Sequence, residues 1–283
     1  VRRSSIPTSV EPDDSRELWS AIAGAAVTTG LGIALAALWT PVDLAVSVLI
    51  HLSWSAAFLS WTVRRKGLWQ RMDGTPLRRI GMANHLTLAR IYLLPALVFL
   101  VWSRAWPEVV TLFLFVGLTD IADGILARRG SNTSKLGYVL DPLGDMMFNL
   151  SMATTLTLRD ALPAWVGILA LLRYSILLMG AAVLLLRHGE LRVGPTRLGK
   201  LTGLVIGGSL LLVLIHLAWV PGLRQAAGIA QSILGIAFAI GVAQAAHIGW
   251  DRLHSPIQGA GQTYRRGGEL SPVTRGTPED PAR

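Results

Sequence analysis

The chain has 283 residues, of which 52% are hydrophobic and only 15% charged, with a formal net charge of +9. Soluble domains carry roughly 25% charged residues, so this composition argues against a soluble globular protein and for a polytopic membrane protein. There is no cysteine, which excludes a disulfide framework and thiolate chemistry. The positive charge does not indicate nucleic acid. Basic residues cluster in short loops between apolar runs, with no stacking or groove-reading module beside them. That distribution suits anionic lipid headgroups and topology control.

In chain order, residues 1–16 (VRRSSIPTSVEPDDSR) are rich in Ser, Pro and charge and predict a mobile tail with no cleavable signal peptide. Two apolar runs follow, at about 17–39 and 42–62, joined by Trp39-Thr40-Pro41. Each is long enough to span a bilayer, and the short connection makes residues 17–62 a transmembrane hairpin. Residues 63–83 carry Arg64, Arg65, Lys66, Arg71, Arg78 and Arg79 against Asp73, interleaved with Trp69, Met72, Leu77 and Ile80. This reads as a basic segment on the membrane surface, with a plain positive loop as the alternative.

Six further spans fit at about 84–103, 107–127, 138–158, 163–186, 201–219 and 226–249, before a Gly-, Pro- and Arg-rich tail over 251–283 that predicts disorder. The expected fold is an all-α integral membrane protein. A six-helix transmembrane core over 84–250 follows two additional N-terminal helices. Lys and Arg concentrate in 63–83, 128–136 and 187–200, whereas the loops near Arg104, Arg159 and Arg224 hold one each. The positive-inside rule puts the first group and both termini in the cytoplasm, at the inner membrane. Trp19, Trp39, Trp61, Trp106, Trp165, Trp219 and Trp250 fall near predicted span ends, as an aromatic belt does. Gly203 and Gly207 form a small-x-x-x-small pattern that predicts helix packing. His51, His216 and His247 stand alone on apolar spans and read as packing or hydrogen-bonded residues.

The chemistry concentrates between Asp120 and Asp145, DIADGILARRGSNTSKLGYVLDPLGD. Carboxylates within apolar runs are costly and mark function. Asp120, Asp123 and Ala127 fall at i, i+3 and i+7 on one helical stripe, and Gly137, Asp141 and Asp145 at i, i+4 and i+8 on the next. A polar turn from Arg129 to Lys135 joins the two helices, so the acidic stripes are expected to face each other. Four converging carboxylates repel unless cations intervene. The oxygen-only donor set suits Mg²⁺ or Mn²⁺, and two such ions form the usual clamp for displacement at phosphorus. Gly124 and Gly137 leave room for close approach, and Arg128 offers a guanidinium fork for phosphate.

Asp120-x-x-Asp123-Gly124-x-x-Ala127-Arg128, eight residues, then Gly137-x-x-x-Asp141-x-x-x-Asp145 resembles the signature of the CDP-alcohol phosphotransferase (CDP-alcohol phosphatidyltransferase) family, with every fixed position present. The resemblance covers about residues 82–250. It implies a membrane enzyme that moves a substituted phosphate, here a phosphatidyl group from CDP-diacylglycerol, to an alcohol and releases CMP. It also implies roles: Asp120, Asp123 and Asp141, with Asp145, on one or two Mg²⁺ or Mn²⁺ ions; Asp120, Asp123, Gly124, Ala127, Arg128 and Gly137 around the CDP donor; Asp145 as general base. A homodimer is implied as well.

Asn84-x-x-Thr87-x-x-Arg90 is similar to the element that opens the family's first core helix. Ala83 precedes it where many members have Pro. Asn84 alone reads as a helix cap, and Arg90 as a partner for a core aspartate. Arg173, inside an apolar run, needs a partner or a wet cavity. With Arg192, Arg197 and Lys200 it forms a candidate acceptor-phosphate site, similar to members making phosphatidylglycerophosphate or cardiolipin; positive-inside charge is the alternative. Glycerol 3-phosphate users often carry Lys or Arg after the last aspartate, where this chain has Met146. The acceptor is therefore glycerol 3-phosphate or phosphatidylglycerol, with inositol phosphate, serine or another polar alcohol as alternatives. Two rivals come from other classes. A transporter or ion pathway fits buried acids, but these acids sit on one hairpin and trace no path across the membrane. A catalytically silent scaffold fits the fold, but not a complete motif.

Overall fold

The computed structural model describes residues 14–65, 68–70, 75, 82–129, 135–188 and 197–254, and of residues 14–18, 82–83, 120–129, 181–188, 197, 221, 248 and 250–254 the backbone alone. Most of both expected tails (1–13 and 255–283), most of the basic 63–83 segment, the 130–134 turn and Arg192 lie outside the described residues; residues 14–16 and 251–254, expected in the tails, instead form the outer ends of α1 and α9. Those described are α-helical with no β-strand among them: α1 (Asp14–Trp39), α2 (Leu44–Arg64), α3 (Met82–Tyr92), α4 (Leu94–Trp102), α5 (Trp106–Arg129), α6 (Lys135–Leu158), α7 (Ala164–His188), α8 (Arg197–Ala218) and α9 (Arg224–His254). Five stretches are long and apolar enough to cross a membrane: Trp19–Trp39, Leu44–Arg64, Asn84–Trp102, Leu198–Ala218 and Arg224–His247. Shorter apolar stretches lie in α5 and α7. The chain is an all-α membrane protein.

Side-chain placement in the N-terminal hairpin shows which solvent it faces. The buried residues of α2 are Ser47, His51, Ser55 and Thr62, while Leu44, Val46, Leu49, Ile50 and Leu52 point outward. Such an inside-out helix is unstable in water and natural in lipid, where small and polar residues hold helices together. Thr29 Oγ1 donates to Ser55 Oγ at 2.7 Å across the α1–α2 contact. His51 anchors its Nδ1 on the Ser47 carbonyl at 2.8 Å and lays its ring on Gly32, where a Cβ would come within 2.9 Å. His216 likewise bonds a carbonyl, that of Val220, at 3.0 Å. The connection is short because each end is capped: Thr40 Oγ1 donates to the Ala36 carbonyl at 2.6 Å, and the Asp43 carboxylate accepts from the amides of Ala45 and Val46.

The main apolar core lies among α4 to α9 and includes Leu97, Leu100, Phe148, Met152, Leu156, Leu210, Leu214 and Phe238. A second, smaller cluster joins Leu88, Ile91 and Tyr92 of α3 to Leu136 and Leu140 of α6, with Trp54, Phe58 and Trp61 of α2 against it. Helix α3 packs on α1, α5 and α6 and is the hub between the hairpin and the rest.

One sequence expectation is refined and one changes. The span expected over 84–103 is present as Asn84–Trp102, with its helix interrupted at Leu93, between α3 and α4, because Pro95 cannot donate to the ladder and crowds the preceding turn. Gly203 and Gly207 do not serve helix packing within the chain: a Cβ at either would meet nothing within 4 Å, since their face of α8 points outward with Leu204. A glycine that does permit close packing is Gly235 of α9, which lies under the Trp165 ring of α7.

Gly235→Ala should lower stability to SDS unfolding by about 1–3 kcal/mol, because the ring has no room for a methyl group. Gly203→Ala should leave stability unchanged. Equal effects at the two positions would contradict this packing.

Candidate active site

The site is built where α3 meets α6. Thr87 and Arg90 lie three residues apart on α3, and Asp141 and Asp145 lie four apart on α6; these spacings put each pair on one face. Thr87 Oγ1 donates to Asp141 Oδ1 at 2.7 Å. Arg90 Nη1 donates to Asp145 Oδ1 at 2.9 Å, with the arginine side chain 2% exposed and the carboxylate 51%. Arg90 Nη2 also reaches Thr87 Oγ1 at 3.4 Å, so the four side chains form one network. A guanidinium this buried needs its countercharge. The expected pairing of Arg90 with a core aspartate is what the structure contains.

Helix contact is close because Gly144, one residue before Asp145, faces α3. A Cβ there would lie 3.4 Å from Thr87 Cγ2 and 3.6 Å from Ile91 Cγ1. Pro142, between the two aspartates, sits inside α6 and interrupts its backbone ladder. Asn149 Nδ2 donates to the Asp145 carbonyl at 2.8 Å one turn on. Asn84 is buried, and α3 begins at Met82. Asn84 therefore lies inside the first turn and is not the cap that its type suggested.

Backbone placement puts Asp120, Asp123, Gly124, Ala127 and Arg128 in the last turns of α5, whose side chains there lie outside the described residues. Since α3 packs against both α5 and α6, it lies beside both helices of the acidic motif. Gly137 is buried in the first turn of α6. Among the described residues no group of three or more His, Cys, Asp or Glu could hold a metal ion. Asp141 and Asp145 nevertheless fit Mg²⁺ or Mn²⁺ as part of a set. Both are oxygen donors, both are exposed, and they sit one turn apart.

The candidate acceptor residues are not gathered into one described cluster. Arg173 Nη1 is 3.5 Å from the Ala237 carbonyl of α9, and its guanidinium fills the space over Gly241. The neighbouring Tyr174 is buried against Phe238, with ring centroids 6.1 Å apart. Helix α7, which carries Arg173 and Tyr174, packs against α6 and α9. Lys200 is exposed on α8, and of Arg197 only the backbone is described. Gly144 and Tyr174 were not singled out from the sequence. A glycine at i+7 from Gly137 on the acidic stripe was the available signal for the first; nothing marked the second.

The family model for CDP-alcohol phosphatidyltransferase matches residues 80–243, more than half of the chain. The chain belongs to the CDP-alcohol phosphatidyltransferase family. Among its relatives, a cardiolipin synthase (CMP-forming) from Streptomyces coelicolor is 32% identical over 161 residues, covering 53% of this chain and 74% of that protein. A CDP-diacylglycerol–glycerol-3-phosphate 3-phosphatidyltransferase from Aquifex aeolicus is 30% identical over 136 residues, covering 47% and 75%. The human cardiolipin synthase (CMP-forming) is 34% identical over 118 residues, covering 41% and 38%. No solved structure gives a significant match. The matched region begins before α3 and ends within α9, so α1 and α2 lie outside it.

In this family member Arg90 and Asp145 should be energetically coupled. A double-mutant cycle of Arg90→Met and Asp145→Asn, read by SDS unfolding, should give a coupling of about 1 kcal/mol. The value is kept small because one partner stands half in solvent. Strict additivity would show that the pair contributes nothing.

Proposed function

We propose that the chain transfers a phosphatidyl group from CDP-diacylglycerol to an alcohol and releases CMP, with phosphatidylglycerol as acceptor. The observation that carries this is the complete acidic motif on α5 and α6, with its second half held by Thr87 and Arg90, in a chain whose relatives include cardiolipin synthases (CMP-forming). Glycerol 3-phosphate is the second reading. It rests on the Aquifex relative and is weakened by Met146, where users of that acceptor often carry a cation.

In the proposed reaction Asp145 accepts the proton of the acceptor hydroxyl. The hydroxyl oxygen forms a bond to the phosphorus bearing the diacylglycerol, the phosphorus–oxygen bond to CMP breaks, and CMP leaves with its electron pair. Bound Mg²⁺ or Mn²⁺, held by Asp120, Asp123, Asp141 and Asp145, would neutralise charge on the pyrophosphate. Arg90 fixes Asp145 and supplies the countercharge that keeps it aimed across α3. Thr87 does the same for Asp141 as a neutral donor. Gly124, Ala127, Arg128 and Gly137 would shape the CDP site. Arg173, with Arg192, Arg197 and Lys200, would hold the acceptor's phosphate, and the niche over Gly241 favours Arg173 as the fixed member.

The same proposal takes 17–62 as an added hairpin, 84–250 as the six-span core, and the active site and both termini as cytoplasmic at the inner membrane. The support is the Lys and Arg distribution. A homodimer is the expected assembly, which light scattering in detergent checks.

Purified protein with CDP-diacylglycerol, Mg²⁺ or Mn²⁺ and a panel of acceptors should release CMP with phosphatidylglycerol. Asp145→Asn should abolish release while donor binding persists; equal loss of binding would remove Asp145 as the base. Asp120→Ala should lose metal-dependent donor binding. In sealed membranes CMP should appear outside inverted vesicles and inside right-side-out ones. CMP with none of the acceptors would contradict the transfer reading.

A further inference from the structure

The hairpin α1–α2 meets a need inside the matched region. Pro95 has no amide hydrogen, so the Ile91 carbonyl four residues earlier has no helical donor. Ile91 is fully buried, and an unpaired carbonyl at such a place within a membrane is strongly unfavourable. Trp54 of α2 supplies the missing donor: its Nε1 lies 2.8 Å from the Ile91 oxygen. We propose that the hairpin braces the catalytic helices, with Trp54 as a positioning residue that, through Ile91, holds α3 where Thr87 and Arg90 meet Asp141 and Asp145.

Further contacts point the same way. Ile91 directly follows Arg90, and its side chain and that of Thr87 are the nearest atoms to the Gly144 position on α6. A slide of α3 therefore displaces both hydrogen-bonded pairs at once. At the other end of α3, Ser20 Oγ of α1 lies 3.0 Å from His85 Nε2, and the His85 ring rests on Gly24. Beyond α2, the Gln70 carbonyl accepts the Lys135 amide at 2.9 Å, and Gln70 Oε1 accepts from Lys135 Nζ at 3.3 Å. Lys135 opens α6, where backbone amides have no intrahelical acceptor. The hairpin and the residues after it thus grip α3 at both ends and α6 at its start.

The test uses the full chain and rests on the transfer reading only for its kinetic half. Trp54→Phe keeps an aromatic ring and removes the donor. Its kcat for CMP release should fall about tenfold, since small misplacements of reacting groups cost rate steeply, while the KM for CDP-diacylglycerol stays within about twofold. Amide hydrogen exchange over residues 87–92 should speed up in parallel. Trp19→Phe, at an exposed site of the same hairpin, should change neither. Pro95→Ala added to Trp54→Phe returns an amide donor to the Ile91 carbonyl, and should restore most of both kcat and protection. Wild-type kcat and protection in Trp54→Phe would overturn the proposal, as would a fall that Pro95→Ala does not reverse. Should Trp54→Phe fail to accumulate, Ser20→Ala tests the second anchor, with a smaller loss of kcat expected and none contradicting the brace. If the wild type releases no CMP, the transfer reading fails, and the exchange data with their Pro95→Ala reversal still decide the brace.

Discussion

The ion pair between Arg90 and Asp145 is the interaction on which the site depends. A guanidinium with almost no exposure in a chain this apolar requires an anion within reach, and α6 provides one that is itself half open to solvent. That asymmetry joins structure to chemistry. The buried end fixes where the carboxylate sits, and the open end leaves it able to meet a substrate. Thr87 and Asp141 repeat the arrangement one turn away with a neutral donor, and Gly144 lets the two helices come close enough for both bonds to form.

Much of this was legible in the sequence. Apolar run lengths and the lack of charge gave an all-α membrane protein. The spacing of Asp120, Asp123, Asp141 and Asp145 marked the acidic motif, and Arg90 was expected to meet a core aspartate. What the sequence hid were relations between distant elements. The pattern at Gly203 and Gly207 promises a helix contact, yet packing depends on what stands opposite, and that side of α8 faces outward. Pro95 is plain to read, but that its orphaned carbonyl would be met by Trp54, 37 residues away in another helix, follows only from the fold. Asn84 has the residue type of a cap while α3 starts before it. Tyr174, buried against Phe238, carried no local signal, because Tyr within an apolar run is ordinary.

The hairpin α1–α2 lies outside the matched region, yet its side chains reach the helix that carries Thr87 and Arg90. Its inner face is polar and small, its outer face apolar, so its own stability in lipid comes from the Thr29–Ser55 bond and the His51 seat on Gly32. The same inner face sends an indole and a hydroxyl to α3, the helix that holds the aspartates of α6.

The proposed transfer requires the acidic turns of α5 and α6 to converge beside α3 on metal and a CDP-linked donor. The most direct measurement is a crystal structure of the protein with CDP-diacylglycerol and Mn²⁺, with anomalous scattering used to locate the manganese. Manganese within coordination distance of carboxylates from both Asp120–Asp123 and Asp141–Asp145, next to the donor pyrophosphate, is the predicted result. Manganese bound elsewhere, or a donor seated away from α6, would contradict it.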